Sequence, residues 1–147
     1  MLKAIVDRRS IRKYKAKNVP KSMIEEIIKA GTLAPSSKNR QPWEFIVVTG
    51  TSKINMLETM RKGLEREKVN PLLSGSVRCL SGAEYTLDIM QQAPIVIFIV
   101  NPLGIDICRS LTAEERIYEI CNAQSIGAAI ENMTLTATEF GLGSLWI

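Results

Sequence analysis

Hydrophobic residues in this chain follow helical spacing in some stretches and form short continuous runs in others. Between Ser22 and Pro35, apolar residues recur on one face, and Ser22 with Glu25 has the spacing of a capping box, which predicts a helix. Residues 44–49 and 95–100 are continuous runs rich in β-branched residues, so we predict two strands that are largely buried. The pattern therefore predicts helices packed on a small sheet.

Further helices are predicted on both sides of the first strand. Residues 2–7 form a short one, and Thr51 or Ser52 is expected to cap another that carries apolar residues up to Leu64. Residues 65–82 contain Pro71, two glycines and alternating charges without a clear period, so we expect a mobile flap or excursion there. Helical spacing then returns over residues 83–92.

The longest predicted helix begins at Thr112, which has capping-box spacing with Glu115, and ends near Gly141. At about 1.5 Å per residue it would be roughly 40 Å long. Residues 121–130 are small or apolar nearly all round, which fits a central core helix. Because such a length needs more covering surface than this chain offers, we favour a helix that also forms a subunit interface. Residues 144–147 begin another strand.

Composition fits one domain with a real core, since 46% of the 147 residues are hydrophobic. The longest apolar run, residues 93–100, is far shorter than the roughly 20 residues that a membrane helix needs. The first residues also lack the apolar segment of a signal peptide. We therefore expect a cytoplasmic protein of the α/β or α+β class without a membrane partner.

The chain has no histidine and three cysteines, Cys79, Cys108 and Cys121, without CxxC spacing. This composition argues against a disulfide framework, a zinc or other metal site, and any nucleophile that relies on histidine. The net charge is +4, and residues 3–21 contain eight basic side chains against Asp7 alone. Such clustering favours a local phosphate site over a nucleic-acid-binding arm, and we expect no nucleic-acid partner.

Two segments carry candidate chemistry. Arg8, Arg9, Ser10 and Arg12 offer three guanidinium groups and a hydroxyl, which suit phosphate oxygens. Residues 34–43, with the sequence APSSKNRQPW, combine two prolines with several polar side chains between a predicted helix and a strand. Alone this loop could be a well-capped turn or a ligand site. Together the two segments suit a ligand with a phosphate at one end and a heteroaromatic ring at the other.

The segment from Arg8 to Arg12, followed by residues 34–45 and by the long helix that leads into GLGSLWI at 141–147, resembles the FMN-dependent nitroreductase family. The resemblance implies a nitroreductase-like α+β fold, with a central, mostly antiparallel sheet flanked by helices and a long central helix at a homodimer interface. It also implies a single FMN-binding domain over residues 1–147 that lacks the family's C-terminal segment.

The resemblance further assigns cofactor-binding residues. The FMN phosphate and ribityl chain would be held by Arg8, Ser10 and Arg12, with Arg9 in support. The loop of the neighbouring subunit would line the flavin through Pro35, Ser36, Ser37, Asn39 and Gln41, and the ring would lie near Leu145, Trp146 and Ile147. The implied reaction is ping-pong hydride transfer from NAD(P)H through flavin N5 to a nitroaromatic or quinone. A flavin- or nucleotide-binding module without turnover is the alternative. Catalysis by FMN needs no side-chain acid or base, which suits a chain without histidine.

Overall fold

The computed structural model describes residues 1–72, 75–106 and 109–147. Two short 3-10 turns, Ser37–Asn39 and Ser76–Cys79, accompany the helices and strands. In chain order the regular elements are α1 (Lys3–Asp7), α2 (Lys21–Thr32), β1 (Glu44–Val48), α3 (Gly50–Val69), α4 (Leu80–Gln92), β2 (Val96–Val100) and α5 (Ala113–Glu139). The two strands pair in a small antiparallel sheet. None of the described helices is both long and apolar enough to cross a membrane.

The chain divides into two compact units. The first contains residues 1–11, 20–46 and 97–146, and its core forms where α2 packs on α5. Ile27 from α2 meets Met133 and Ala137 from α5, and Phe45 covers the cluster. Gly31 permits this close packing, because a Cβ atom there would lie 3.0 Å from both Met133 and Phe45.

Helix α5 confirms the predicted length and both predicted ends. The Thr112 hydroxyl accepts a hydrogen bond from the Glu115 backbone N–H, and the Glu115 carboxylate accepts one from the Thr112 backbone N–H, which completes the capping box. Gly141 follows the helix with a φ of +71°. At the centre of α5, Asn122, Ser125 and Ala129 are buried, while Ala123 and Gln124 are exposed within this chain.

The second unit contains residues 12–19, 47–96 and 147. In it α3 packs on α4, and the Lys53 ammonium donates to the carbonyls of Met90, Gln91 and Ala93 at the C-terminal end of α4. This contact satisfies carbonyls that the helix leaves without partners. The ends of the segment 65–82, for which a mobile flap or excursion is predicted, are helical, because α3 continues to Val69 and α4 begins at Leu80. Residues 73 and 74 of that prediction lie outside the described residues.

Several local predictions need correction. Helix α2 begins after Pro20, and neither it nor α3 has a side-chain cap, so the caps predicted at Ser22 and at Thr51 or Ser52 do not form. A proline before the first turn supplies a suitable φ without needing a partner for a backbone N–H. Strand β1 is less buried than predicted, with Ile46 44% exposed, and β2 is half-buried.

Residues 144–147 form no strand, and their described pairing is a parallel bridge between Ser10 and Ser144. Cys79 and Cys121 are free thiols, and Cys108 lies outside the described residues.

Candidate functional site

The first two arginines leave α1 in different directions. The Arg9 guanidinium folds back and donates to the carbonyls of Val6 (2.6 Å) and Arg8 (2.7 Å). It thereby gives hydrogen-bond partners to carbonyl groups at the C-terminal end of the helix. The Arg8 guanidinium instead faces α5, where its Nε lies 3.9 Å from Oε1 of Glu131. Of these two neighbours, Arg8 is therefore the one that can meet a ligand beside α5.

The chain after Arg9 is joined to the segment that follows α5. Ser10 and Ser144 form the parallel bridge, and the Ile11 backbone N–H donates to the Ser144 carbonyl at 2.9 Å. Gly143 makes this approach possible, because a Cβ atom at that position would lie 2.8 Å from Cγ1 of Ile11. Two hydroxyl-bearing residues from distant parts of the sequence are thereby held side by side.

A cavity of about 340 Å³ opens between these segments and α5. Its lining consists of Arg8, Ser10, Glu131, Thr134, Ser144 and Trp146. One cation, three hydroxyl-bearing residues and one aromatic ring suit a ligand that combines a phosphate with a hydroxylated chain. Trp146 is 54% exposed, and its ring lies close to Gly127, where a Cβ atom would be 3.4 Å from the ring.

Glu131 introduces an opposing charge into this cavity. The Thr134 hydroxyl shares its one proton between the backbone carbonyl of Glu131 at 3.0 Å and Oε2 of Glu131 at 3.2 Å, and the second contact orients the carboxylate toward Arg8. At 3.9 Å the contact between Arg8 and Glu131 is an ion pair without a hydrogen bond. The Arg8 guanidinium therefore keeps donor capacity for an anion that enters the cavity.

The polar loop at 34–43 is held in an unusual backbone conformation. Lys38, Asn39 and Gln41 all have φ near +50°, the left-handed region that few residues other than glycine adopt. The Ser36 hydroxyl accepts from the Gln41 backbone N–H at 3.0 Å, and Pro42 is fully buried. These contacts keep the loop in one shape while Pro35, Asn39 and Gln41 remain exposed.

Two contacts attach this loop to α5. The Ser37 backbone N–H donates to the Ser125 hydroxyl at 3.2 Å, and the Arg40 guanidinium lies 4.4 Å from the centre of the Tyr118 ring. Tyr118 and Ser125 are seven residues apart and share one face of the helix. Thr134 is nine residues beyond Ser125 and therefore projects about 180° away. The loop and the cavity thus lie on opposite faces of α5.

The remaining predicted site residues fall in two places. Leu145 is half-buried beside the cavity residue Trp146, within the first unit. Arg12 and Ile147 belong to the second unit, where both are exposed. Burial raises the pKa of Tyr14, and the nearby Arg12 charge partly opposes that rise.

Comparison with known proteins decides the family. The sequence model of the Nitroreductase family matches residues 5–147. The chain belongs to the nitroreductase family. It is 31% identical over 146 residues to an Archaeoglobus fulgidus protein provisionally named as an NADH dehydrogenase/NAD(P)H nitroreductase, and the match covers 99% of this chain and 66% of that protein.

Two solved structures show the same nitroreductase fold. An FMN-dependent nitroreductase from Clostridium difficile R20291 is 30% identical with a TM-score of 0.65, and the match covers all of this chain and 65% of that one. A structure provisionally named as a nitroreductase, solved in complex with FMN from Desulfovibrio desulfuricans, is 25% identical with a TM-score of 0.66, and the match covers 98% of this chain and 65% of that one. The predicted family and the predicted α+β fold are confirmed. The chain spans slightly less than two thirds of the length of these relatives.

Three residues of the cavity in this nitroreductase-family chain were not identified from the sequence. Ser144 precedes the predicted segment 145–147, and Glu131 and Thr134 lie on α5. A helical projection places Gly127, Glu131 and Thr134 on one face by i, i+4, i+7 spacing, but it does not mark that face as the one that lines a site. Which of the many faces of a 27-residue helix meets the N-terminal arginine is decided only by packing.

Proposed function

We propose that this chain is the FMN-binding part of an NAD(P)H-dependent oxidoreductase that reduces an electron-poor acceptor, such as a nitroaromatic or a quinone, by ping-pong hydride transfer. The observation that carries the proposal is the cavity, which places the Arg8 guanidinium beside the Ser10–Ser144 pair in a member of the nitroreductase family. Names of similar proteins support the cofactor and donor, since one is FMN-dependent and another is named as an NAD(P)H nitroreductase.

The residues present fit the phosphate end of FMN. A guanidinium presents several N–H donors in a planar fork that matches phosphate oxygens, and Ser10 and Ser144 add short hydroxyl groups at the same opening. Arg8 is 36% exposed in its side chain, so it is accessible to a ligand without first breaking a buried ion pair. Arg12, from the predicted motif, is proposed to contribute to phosphate binding. Arg9 is proposed to support the site indirectly, because it donates to the backbone carbonyl of Arg8.

Residues of this chain are proposed to bind and orient the cofactor. Bound FMN would supply the redox chemistry, because its ring accepts a hydride from NAD(P)H and passes it on. Leu145, Trp146 and Ile147 are proposed to lie near the ring, where the backbone can donate hydrogen bonds and the Trp146 side chain can exclude water. Histidine is missing from the sequence, and the proposed mechanism requires no side-chain acid or base.

The opposite placement of the loop and the cavity supports a homodimer. Pro35, Ser36, Ser37, Asn39 and Gln41 lie across α5 from the cavity of their own chain, so they would line the flavin held by a second copy. Exposed apolar residues on α5 support a partner surface, since Ile117 is 60% exposed and Ile120 is 52% exposed. The proposal includes a single FMN-binding domain over residues 1–147 and a cytoplasmic location.

The first experiment asks whether the purified protein carries FMN and whether that flavin turns over. Flavin extraction with mass measurement identifies the cofactor, and anaerobic addition of NADH or NADPH should bleach its visible absorbance. A nitroaromatic or a quinone should then restore the oxidised spectrum. Flavin that stays oxidised with both donors would reject the oxidoreductase and leave the module without turnover.

A variant pair tests the phosphate assignment. Arg8→Gln should weaken FMN binding by at least about tenfold, because a charge-assisted contact contributes about 1.5–3 kcal/mol. Arg116→Gln removes the same charge from an exposed position on α5 and should leave FMN binding unchanged. Flavin fluorescence quenching measures both affinities. Equal FMN affinity of the two variants would refute the role of Arg8.

A further inference from the structure

The carboxylate of Glu131 is the feature of the cavity that the proposed phosphate role does not explain. A phosphate site gains affinity from cations and hydrogen-bond donors, yet this cavity includes a negative group 3.9 Å from its arginine. An acid on the rim of a phosphate site works against the ligand unless it has a function of its own. The Glu131 carboxylate therefore points to an effect on which anions the cavity binds.

Local contacts fix the Glu131 carboxylate in place. The hydroxyl of Thr134, a buried residue, donates to Oε2 at 3.2 Å, while Oε1 points toward Nε of Arg8. The side chains of Arg8 and Glu131 are 36% and 46% exposed, so each is reached by solvent and by small ions. A phosphate that accepts hydrogen bonds from Arg8 must consequently lie beside a fixed negative charge.

We propose that Glu131 is a specificity-determining residue that weakens the attraction of Arg8 for phosphate groups. Its charge reduces the affinity of the cavity for small anions such as inorganic phosphate, while a flavin is still retained through its chain and ring. The inference rests on the proposed function, because it assumes that Arg8 meets the cofactor phosphate. Repulsion between like charges at a partly exposed site corresponds to roughly three- to tenfold in affinity.

Comparison of FMN with riboflavin isolates the phosphate, since riboflavin lacks only that group. The ratio of the riboflavin Kd to the FMN Kd should increase by roughly three- to tenfold in Glu131→Gln, because the amide keeps the shape and loses the charge. Glu139→Gln removes a carboxylate from an exposed position near the end of the same helix and should leave the ratio unchanged.

A second measurement does not depend on flavin. Inorganic phosphate, compared with chloride at equal ionic strength, should raise the Tm of Glu131→Gln more than the Tm of the unmodified protein. An unmodified protein that binds neither FMN nor riboflavin would overturn the proposed function. The Tm measurement with inorganic phosphate would still test the role of Glu131. In a protein that binds flavin, a Kd ratio that decreases in Glu131→Gln, as it would if the carboxylate held Arg8 in place, or that stays unchanged would overturn the inference. In a protein that binds neither flavin, an unchanged phosphate effect would overturn it.

Discussion

Substitution of Gly143 by alanine tests the junction that forms the cavity. The added Cβ atom would lie 2.8 Å from Cγ1 of Ile11 and 3.0 Å from both Cβ and Cγ2. Ordinary carbon contacts are about 3.5–4.0 Å, so all three atoms would overlap with the new methyl group. Because Ile11 is β-branched and stiff at χ1, the side chain cannot easily move away, and the Ser10–Ser144 bridge must open instead.

The expected cost is about 1–3 kcal/mol, the range for overpacking at a tight contact. For a chain of this length, that corresponds to a decrease in Tm of roughly 2–12 °C. The variant should also bind FMN more weakly, because Ser10 and Ser144 both line the cavity. Thermal unfolding followed by circular dichroism gives the stability, and flavin fluorescence quenching gives the affinity.

Gly82→Ala is the matched control for this substitution. Gly82 lies in α4 with nothing within 4 Å of an added Cβ atom, so alanine there should stabilise the protein by about 0.5–1 kcal/mol. Ile11→Ala removes two of the three clashing atoms, and combined with Gly143→Ala it should cost less than the sum of the single changes. A Gly143→Ala protein as stable as the unmodified one, or strictly additive effects, would refute the steric argument.

Three further predictions concern helix ends. Thr112→Ala should cost about 1 kcal/mol in urea unfolding, because α5 loses its N-terminal cap; an unchanged midpoint would show that the cap adds nothing in this context. Hydrogen bonds from the Thr112 backbone N–H and, second in size, from Arg109 hold the pKa of Glu115 below its ordinary value of 4.5. The contribution of Glu115 to the free energy of unfolding is therefore complete above that value and is lost as the pH falls through the lower folded-state pKa. Glu115→Gln should therefore reduce the acid sensitivity of unfolding, and an identical pH profile would contradict the assignment. Lys53→Met should destabilise the protein by about 1–2 kcal/mol in the same assay, since three carbonyls at the end of α4 lose their donor. Lys62→Met, from an exposed pair with Glu58 on the same helix, should stay within about 0.5 kcal/mol, and equal losses in the two lysine variants would reject the capping role.

Local chemistry determined much of this protein from the sequence alone. The Thr112–Glu115 pair and Gly141 mark the ends of α5, because capping and a left-handed turn depend on residues within a few positions of each other. The Arg8–Ser10 motif likewise identified part of the cavity lining, since phosphate chemistry restricts the residue types that can serve. The predicted cap at Ser22 was wrong although Ser22 and Glu25 have capping-box spacing, because the helix begins earlier, directly after Pro20.

Only the tertiary structure decided which distant residues meet. Glu131 and Thr134 enter the cavity because one face of α5 packs beside the end of α1, and no local pattern marks that face. Packing also placed the loop at 34–43 on the opposite face, through Ser125 and Tyr118. A sequence records which side chains can bind a phosphate, but the opposing charge beside Arg8 arises from a contact between residues more than a hundred positions apart.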